Sequence, residues 1–381
     1  MKKLLFASLL LAIGSPAFCQ ALMYKQIPYN DSLATSITVI KPDDGEHVLL
    51  GGVVDSSGRP VVQKIGSNGL VAWKYFAREG ESEDKSSARI ADVFHSFEDE
   101  YVICLNRFGK RRISGSAAEM IVLDSNGDDL KTYLIDPDGN PYNGNLNVHK
   151  CWQSVSGTYI LGSVFGGVNY DRKKNPGSVY WIQVLNSERR QVFDRFIPST
   201  LRFRSDIVDV SHIGDEIFAL ATNGQDSELV KINAKSGNFS QVKIAGVAHL
   251  FAGGDELKFL VKTASGFDLQ IFNNSLTRIL RRELDILSKA MPVAFHSLKD
   301  GGVAVLYHDM AGNESKLIMQ EIDRSYRTRK RTTLGIWTPP VVFSMASART
   351  SSNGIILQFY QKTSGQKINF SNSIFKIENI K

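Results

Sequence analysis

A weak internal repeat constrains this 381-residue chain more than any other feature. Seven times, an apolar run gives way to a polar turn and a second apolar run. A Gly-containing turn and a further pair of runs usually follow. The period is roughly 40 to 58 residues, the range of propeller blades rather than of helical solenoids. The first hairpin of each copy is the clearest. Residues 36–40 lead through Pro42-Asp43-Asp44-Gly45 into 47–52, and residues 91–95 lead through Glu98-Asp99-Glu100 into 101–105. Later copies turn at Ser156-Gly157, Gly214-Asp215, Gly253-Gly254-Asp255, Asp300-Gly301-Gly302 and Ser352-Asn353-Gly354. Asp, Asn and Gly suit such turns because they tolerate positive φ or bond their own backbone. Short, continuous apolar runs are the pattern of strands buried on both faces.

Second hairpins complete four antiparallel strands per copy, as in 60–65 followed by 70–76, 119–123 followed by 130–134, and 228–232 followed by 239–242. The last copy ends at residues 373–377, one strand short, while residues 21–28 form a spare strand ahead of the first copy. The expected fold is therefore all-β: a seven-bladed propeller of four-stranded antiparallel blades. It forms one domain over 20–381, with 20–30 closing the ring as the missing strand of the last blade. Residues 276–290 break the pattern, because Leu276, Ile279, Leu280, Leu284 and Leu287 have helical spacing and predict a short helix. Residues 166–178 read as a long insertion in the third blade, where a binding loop would sit.

The start of the chain reads as an export signal. Lys2 and Lys3 precede an apolar run over 4–13, Gly14-Ser15-Pro16 breaks it, and Ala17-Phe18-Cys19 ends in a small-x-small pattern. Cleavage is expected after Cys19, with Ala21 as the fallback and acylation of Cys19 as a further alternative. The formal net charge of +6 then falls by two to +4. Later segments lack the ~20 apolar residues of a membrane span. The expected location is the periplasm, the outer-membrane surface or the extracellular space. Export and the lack of a recognition motif argue against nucleic acid. The other two cysteines, Cys104 and Cys151, are expected on the second strand of the second blade and the first strand of the third, an arrangement that allows them to be neighbours. They read either as a disulfide or as two small buried hydrophobes.

Candidate functional residues are few. His95, His149, His212, His249 and His296 fall on or near first strands, which line the channel of a propeller. Only His95 and His296 share a context, in Phe94-His95-Ser96 and Phe295-His296-Ser297. Trp152 and Trp337 are candidate contact residues, because Trp is favoured at binding hot spots. Three basic clusters would suit an anionic partner: Lys110-Arg111-Arg112; Arg278, Arg281 and Arg282; and Arg324, Arg327, Arg329, Lys330 and Arg331. Asp136-Pro137-Asp138-Gly139-Asn140 has part of a calcium loop but lacks its terminal Glu, and Asp124-Ser125-Asn126-Gly127-Asp128 reads as a hairpin turn. No nucleophile elbow, zinc motif or phosphate loop is present, so no catalytic residue, metal or cofactor is assigned.

Residues 65–73, Ile65-Gly66-Ser67-Asn68-Gly69-Leu70-Val71-Ala72-Trp73, resemble the Gly-turn-Trp signature of quinoprotein-like bacterial propellers. The hairpin from Asp44-Gly45 to Gly51-Gly52 is similar to repeats of exported bacterial propellers. Only the first blade carries the Trp form, with Tyr133 or Phe239 near that place later, so the resemblance implies the fold and no quinone. Two functions are expected. The first is a protein-interaction or ligand-binding scaffold in the cell envelope, with an envelope protein or a glycan as partner. The alternative is an enzyme acting on glycans or another small substrate at the channel mouth. The enzyme requires converging Asp, Glu or His with shifted pKa values at one channel end, whereas the scaffold requires an exposed apolar or charged patch.

Overall fold

The computed structural model describes residues 23–378 apart from 29–34, 45–46, 55–58, 67–69, 78–86, 109–115, 137–144, 166–177, 202–203, 253–255, 287–288, 312–313, 338–340, 350–354 and 362–371. The export signal and most of the 166–178 insertion lie outside the described residues. The chain forms a β-propeller of four-stranded antiparallel blades. After β1 (Met23–Pro28), blade 1 contains β2 (Thr35–Pro42), β3 (Val48–Val54), β4 (Arg59–Ile65) and β5 (Val71–Phe76). Blade 2 contains β6 (Ser87–His95), β7 (Tyr101–Phe108), β8 (Ser116–Leu123) and β9 (Asp129–Ile135). Blade 3 contains β10 (Asn145–Ser154), β11 (Gly157–Phe165), β12 (Val179–Leu185) and β13 (Gln191–Pro198). Blade 4 contains β14 (Asp206–Ile213), β15 (Glu216–Thr222), β16 (Ser227–Asn233) and β17 (Phe239–Ile244). Blade 5 contains β18 (Val247–Ala252), β19 (Leu257–Lys262), β20 (Phe267–Phe272) and β21 (Arg278–Leu284). Blade 6 contains β22 (Met291–Ser297), β23 (Val303–Ala311), β24 (Glu314–Ile322) and β25 (Thr328–Trp337). A further four-stranded sheet joins β26 (Val341–Arg349), β27 (Ile355–Gln361) and β28 (Asn372–Glu378) to β1, which pairs antiparallel with β28. No helix among the described residues is long and apolar enough to cross a membrane.

The apolar runs have a simple cause. The middle strands are covered on both faces, and β12 and β20 are buried at every position. The two-residue period of a strand sends alternate side chains to opposite neighbours. On β7, Tyr101, Ile103 and Leu105 pack toward blade 1 with Val39, Leu49 and Val62, while Val102 and Cys104 pack toward blade 3 with Val148, Ile160 and Trp181. The same division recurs between blades 3 and 4, 4 and 5, and 5 and 6. The fourth strands face solvent on the outside, so β21 and β25 are mostly exposed.

The expected helix at 276–290 is instead a turn and the outer strand β21, paired with β20. Leu276 has a φ of 59° in a turn where the Asn273 side chain accepts the backbone N–H groups of Ser275 and Thr277. Apolar residues four apart, such as Leu280 and Leu284, fit a two-residue period as well as a helical one, and pairing with β20 decides between them.

The Asp124 hairpin is the turn expected from its sequence. Asp124 Oδ1 accepts the N–H groups of Asn126 and Asp128 at 2.9 Å, and Gly127 has a φ of 85°. A Cβ at Gly127 would lie 2.7 Å from the Trp73 ring of blade 1. Trp73 also meets Tyr101 edge-on at 4.9 Å, so the Trp of the Gly-turn-Trp segment packs one blade on the next.

Two further links tie blades together. Cys104 on β7 and Cys151 on β10 form a disulfide between blades 2 and 3. Between blades 3 and 4, the fully buried Glu228 carboxylate accepts hydrogen bonds from the Tyr180 hydroxyl at 2.6 Å, the Thr200 N–H at 3.0 Å, and the hydroxyls of Ser199 and Thr200. Burial and the Glu228 charge both hold the Tyr180 phenol protonated.

A Cys104→Ala/Cys151→Ala variant should lose roughly 2–4 kcal/mol of unfolding free energy in urea, and reduction of the native chain should have the same effect. Glu228→Gln turns one acceptor into a donor facing donors, and should cost roughly 1–3 kcal/mol in the same assay. A shift within error for either variant would remove it from the list of inter-blade anchors.

Candidate functional site

The inner strand of each of the six blades carries a β-bulge at a matching place. The pairing register shifts around Thr38, Ala91, His149, Val208, His249 and Val293. A bulge adds one unpaired residue and re-aims the strand. The freed backbone groups are met partly from adjacent blades. Asn106 of blade 2 donates to the Val148 carbonyl at 2.8 Å and accepts the Val148 N–H at 2.7 Å. Ser227 of blade 4 accepts the Ala248 N–H at 2.8 Å. The buried Asp92 accepts the Cys151 N–H at 3.2 Å and pairs with Lys41 at 3.2 Å.

At this level the inner strands of blades 1 to 4 surround a cavity of about 510 Å³. Thr38, Arg89, Asn106, Asn147, His149, Lys150, Arg204 and Asp206 supply its polar lining. Arg89 and Lys150 have no ion-pair partner among the described residues, whereas Arg204 lies 3.5 Å from Asp206. The cavity therefore has three permanent cations for one carboxylate. Asn147 Oδ1 is buried without a hydrogen-bond partner among the described residues. His149 Nε2 lies 2.8 Å from Ser163 Oγ. Burial pushes the His149 pKa down to about 4, against the pull of Asp206 and with help from Lys150, Arg204 and Arg89. Its imidazole is therefore neutral at neutral pH. Burial raises the pKa of Asp209, two strand positions beyond the bulge-level Ile207, and Lys150 partly opposes that. Such a group of cations and a neutral imidazole can hold an anion and exchange a proton with it.

The residues singled out in the sequence are placed differently. His95 sits at the far end of β6, beside Asp43, Asp44 and Asp99. The shared context of His95 and His296 is misleading. His95 pairs with Tyr101, the first residue of its next strand, whereas Ser297 occupies that place in blade 6 and His296 pairs with Ala304. The two histidines are thus one position out of register, and a one-residue slip reverses the face. Trp152 is half-buried and stacks on Tyr159 at 5.3 Å and on His212 at 6.4 Å. Trp337 packs on the blade 6 core, over Gly335, where a Cβ would lie 2.3 Å from its ring. Both tryptophans make packing contacts within the fold. Lys110, Arg111 and Arg112 lie outside the described residues, in the connection from β7 to β8. Of the other basic clusters, Arg281 pairs with Asp268, Arg329 with Asp300 and Glu321, and Arg331 with Asp285. Asp136 is exposed, and the rest of its loop lies outside the described residues.

Sequence reasoning noted His149 but passed over Arg89, Asn147, Lys150, Arg204 and Asp206. The available signal was the position of each residue relative to the bulge, as in Ile90-Ala91-Asp92, Val148-His149-Lys150 and Ile207-Val208-Asp209.

The His149 environment has a pH signature. An unfolded histidine titrates near 6.5, so between pH ~6.5 and 4 the unfolded chain takes up a proton that the native state refuses. The stabilisation from His149 is complete above that window and is lost as the pH falls through it. His149→Gln should therefore lose less stability than the native protein between pH 7.5 and 4.5, read from urea midpoints. Equal losses would show that His149 is protonated in the native state.

No family model and no curated protein matches the chain. Solved structures do. An ulvan lyase of polysaccharide lyase family PL25 aligns over 93% of this chain and 96% of its own, with 11% identity and a TM-score of 0.54. The β-propeller domain of the Trilobed protease from Pyrococcus furiosus aligns over 90% and 95%, with 11% identity and a TM-score of 0.52. A puromycin hydrolase aligns over 90% of this chain and 52% of its own, with 12% identity and a TM-score of 0.51, so the chain spans about half of that protein. At these identities the likeness is one of fold: a β-propeller.

Proposed function

We propose that the chain is an exported ligand-binding propeller of the bacterial cell envelope, and that it holds an acidic glycan end or a similar small carboxylated ligand in its channel. The reading takes residues 1–19 as a cleaved export signal and 20–381 as one seven-bladed domain. In that ring the sheet of β26, β27, β28 and β1 is the last blade. The antiparallel pairing of β1 with β28, and the position of β26 beside both β22 and β2, support that closure. The Cys104–Cys151 disulfide suits an oxidising compartment.

The observation that carries the ligand class is the charge of the cavity. Arg89, Lys150 and Arg204 converge on about 510 Å³ with Asp206 as the one lining carboxylate. Arginine forks match carboxylate and sulfate groups, and Asn147 and Thr38 are suited to sugar hydroxyls. A pocket that is polar, concave and built on rigid inner strands suits a small ligand better than a protein face. The ulvan lyase of similar fold is described as bound to a GlcA-containing saccharide, which accords with this ligand class.

A second reading, acid–base chemistry on that ligand, is favoured by the neutral imidazole of His149 at the cavity wall.

The test is calorimetric titration of residues 20–381 with uronate-containing and neutral oligosaccharides of equal length. The acidic series should bind and weaken with salt. Arg89→Ala and Arg204→Ala, both at exposed positions, should each weaken binding at least about tenfold. Equal binding of the neutral series, or native affinity in the double variant, would reject the proposal. Release of an unsaturated uronate, abolished in His149→Gln, would select the enzymatic reading.

A further inference from the structure

The opposite face of the propeller carries a second constellation, independent of the channel. Inner strands run from the cavity toward the hairpins that join them to the second strands. Asp43 lies five residues beyond Thr38, roughly 15 Å along β2. There the β2–β3 turn of blade 1, pinned by Asp43 N–H to the His47 carbonyl at 3.0 Å, meets the end of β6 in blade 2.

We propose that Asp43, Asp44 and His95 form a binding site for a divalent transition metal of the zinc class. Asp43 Oδ1, Asp44 Oδ2 and His95 Nδ1 converge, with Nδ1 lying 3.1 Å from each oxygen. Ligands about 2.0–2.1 Å from a tetrahedral zinc ion stand about 3.3 Å apart. The Asp43 side chain is 0% exposed, and its two oxygens are used differently. Oδ2 is held by Lys64 Nζ at 2.8 Å and the Tyr101 hydroxyl at 3.1 Å, whereas Oδ1 is buried, accepts no hydrogen bond among the described residues and faces His95 Nδ1 at the convergence. A buried, unpartnered carboxylate oxygen is costly, and a cation removes that cost.

His95 is set up as a ligand. Its Nε2 lies 2.9 Å from Asp99 Oδ1, and the neutral tautomer that donates its Nε2 proton there keeps an Nδ1 lone pair for a metal between the two carboxylates. Carboxylate–imidazole–metal relays are built in this way. Stacking on Tyr101, with ring centroids 4.6 Å apart and planes 16° apart, fixes the imidazole. Asp43, Asp44 and Asp99 against Lys64 leave two negative charges, matching a divalent ion. One imidazole nitrogen with two carboxylate oxygens favours zinc over calcium or magnesium, which prefer all-oxygen sites. Asp44 is 75% exposed, which opens a route for the ion and a position for water. A metal here would pin the first hairpin of blade 1 to blade 2. The competing occupant of the gap is a second proton on His95.

The experiment titrates zinc into chelator-stripped, dialysed residues 20–381 by calorimetry, with calcium as the control. One zinc ion per chain is expected, with calcium at least tenfold weaker and a higher thermal midpoint in zinc. Asp44→Asn sits on an exposed side chain, so its fold is retained. That variant and His95→Gln should each lose at least tenfold in zinc affinity and lose the thermal shift, and Asp99→Asn should weaken binding about tenfold. Zinc binding that is unchanged in both Asp44→Asn and His95→Gln would overturn the site, as would the absence of stoichiometric binding. A doubly protonated His95 ring seen by nitrogen NMR with zinc present would also overturn it, in favour of the proton.

Discussion

Burial of both faces of the middle strands in the six described blades is the interaction on which this structure depends. Leu49, Ile103, Leu161, Ala219, Leu260 and Val305 are buried because a neighbouring sheet covers them, and the clusters between blades 1 and 2, 2 and 3, 3 and 4, 4 and 5, and 5 and 6 each take residues from two blades. A sheet with one face uncovered would expose a row of aliphatic side chains, so stability accrues from interfaces between adjacent repeats. This accounts for the runs without alternation in β7, β12 and β20, and for the charges on outer strands such as β21 and β25.

Polar groups inside those interfaces do a different job. Apolar packing is tolerant of sliding, whereas a buried carboxylate with four donors or a crosslinked pair of cysteines fits one arrangement. Glu228 between blades 3 and 4, Asn106 and Asp92 between blades 2 and 3, and the Cys104–Cys151 link each join atoms from two sheets. All act close to the inner strands or on the second and third strands. The bulges belong with these links: in blades 3 and 5 the backbone beside the bulge is met by a side chain of the adjacent blade, and in blade 3 the bulge residue His149 lies in the cavity wall.

The two faces differ in charge for the same geometric reason. At the cavity, the starts of inner strands bring Arg89, Lys150 and Arg204 together from blades 2, 3 and 4. At the far face, hairpin turns rich in aspartate close against one another, and Asp43, Asp44 and Asp99 gather around His95. Aspartate is there first as a turn residue, and its charge gains a use only when a neighbouring blade supplies the other groups.

By itself the sequence determined the strand content, the four-strand repeat and most turns, because apolar runs and Asp, Asn or Gly punctuation are local signals read within a dozen residues. The pairing of the terminal strands was legible for the same reason, as one spare segment and one vacancy. Tertiary structure alone decided the rest. The choice of strand over helix at Leu276 to Leu284 rested on the edge that β20 offered. Whether Cys104 met Cys151 depended on the closeness of two blades. The cavity and the Asp43–His95 cluster join residues dozens of positions apart, in an order set by strand register. His95 lies four residues beyond its bulge at Ala91 and His296 three beyond its bulge at Val293, a one-residue difference that exchanges inward for outward, so the matching words around them misled, whereas the unmatched His149 sits at its bulge and lies in the cavity wall.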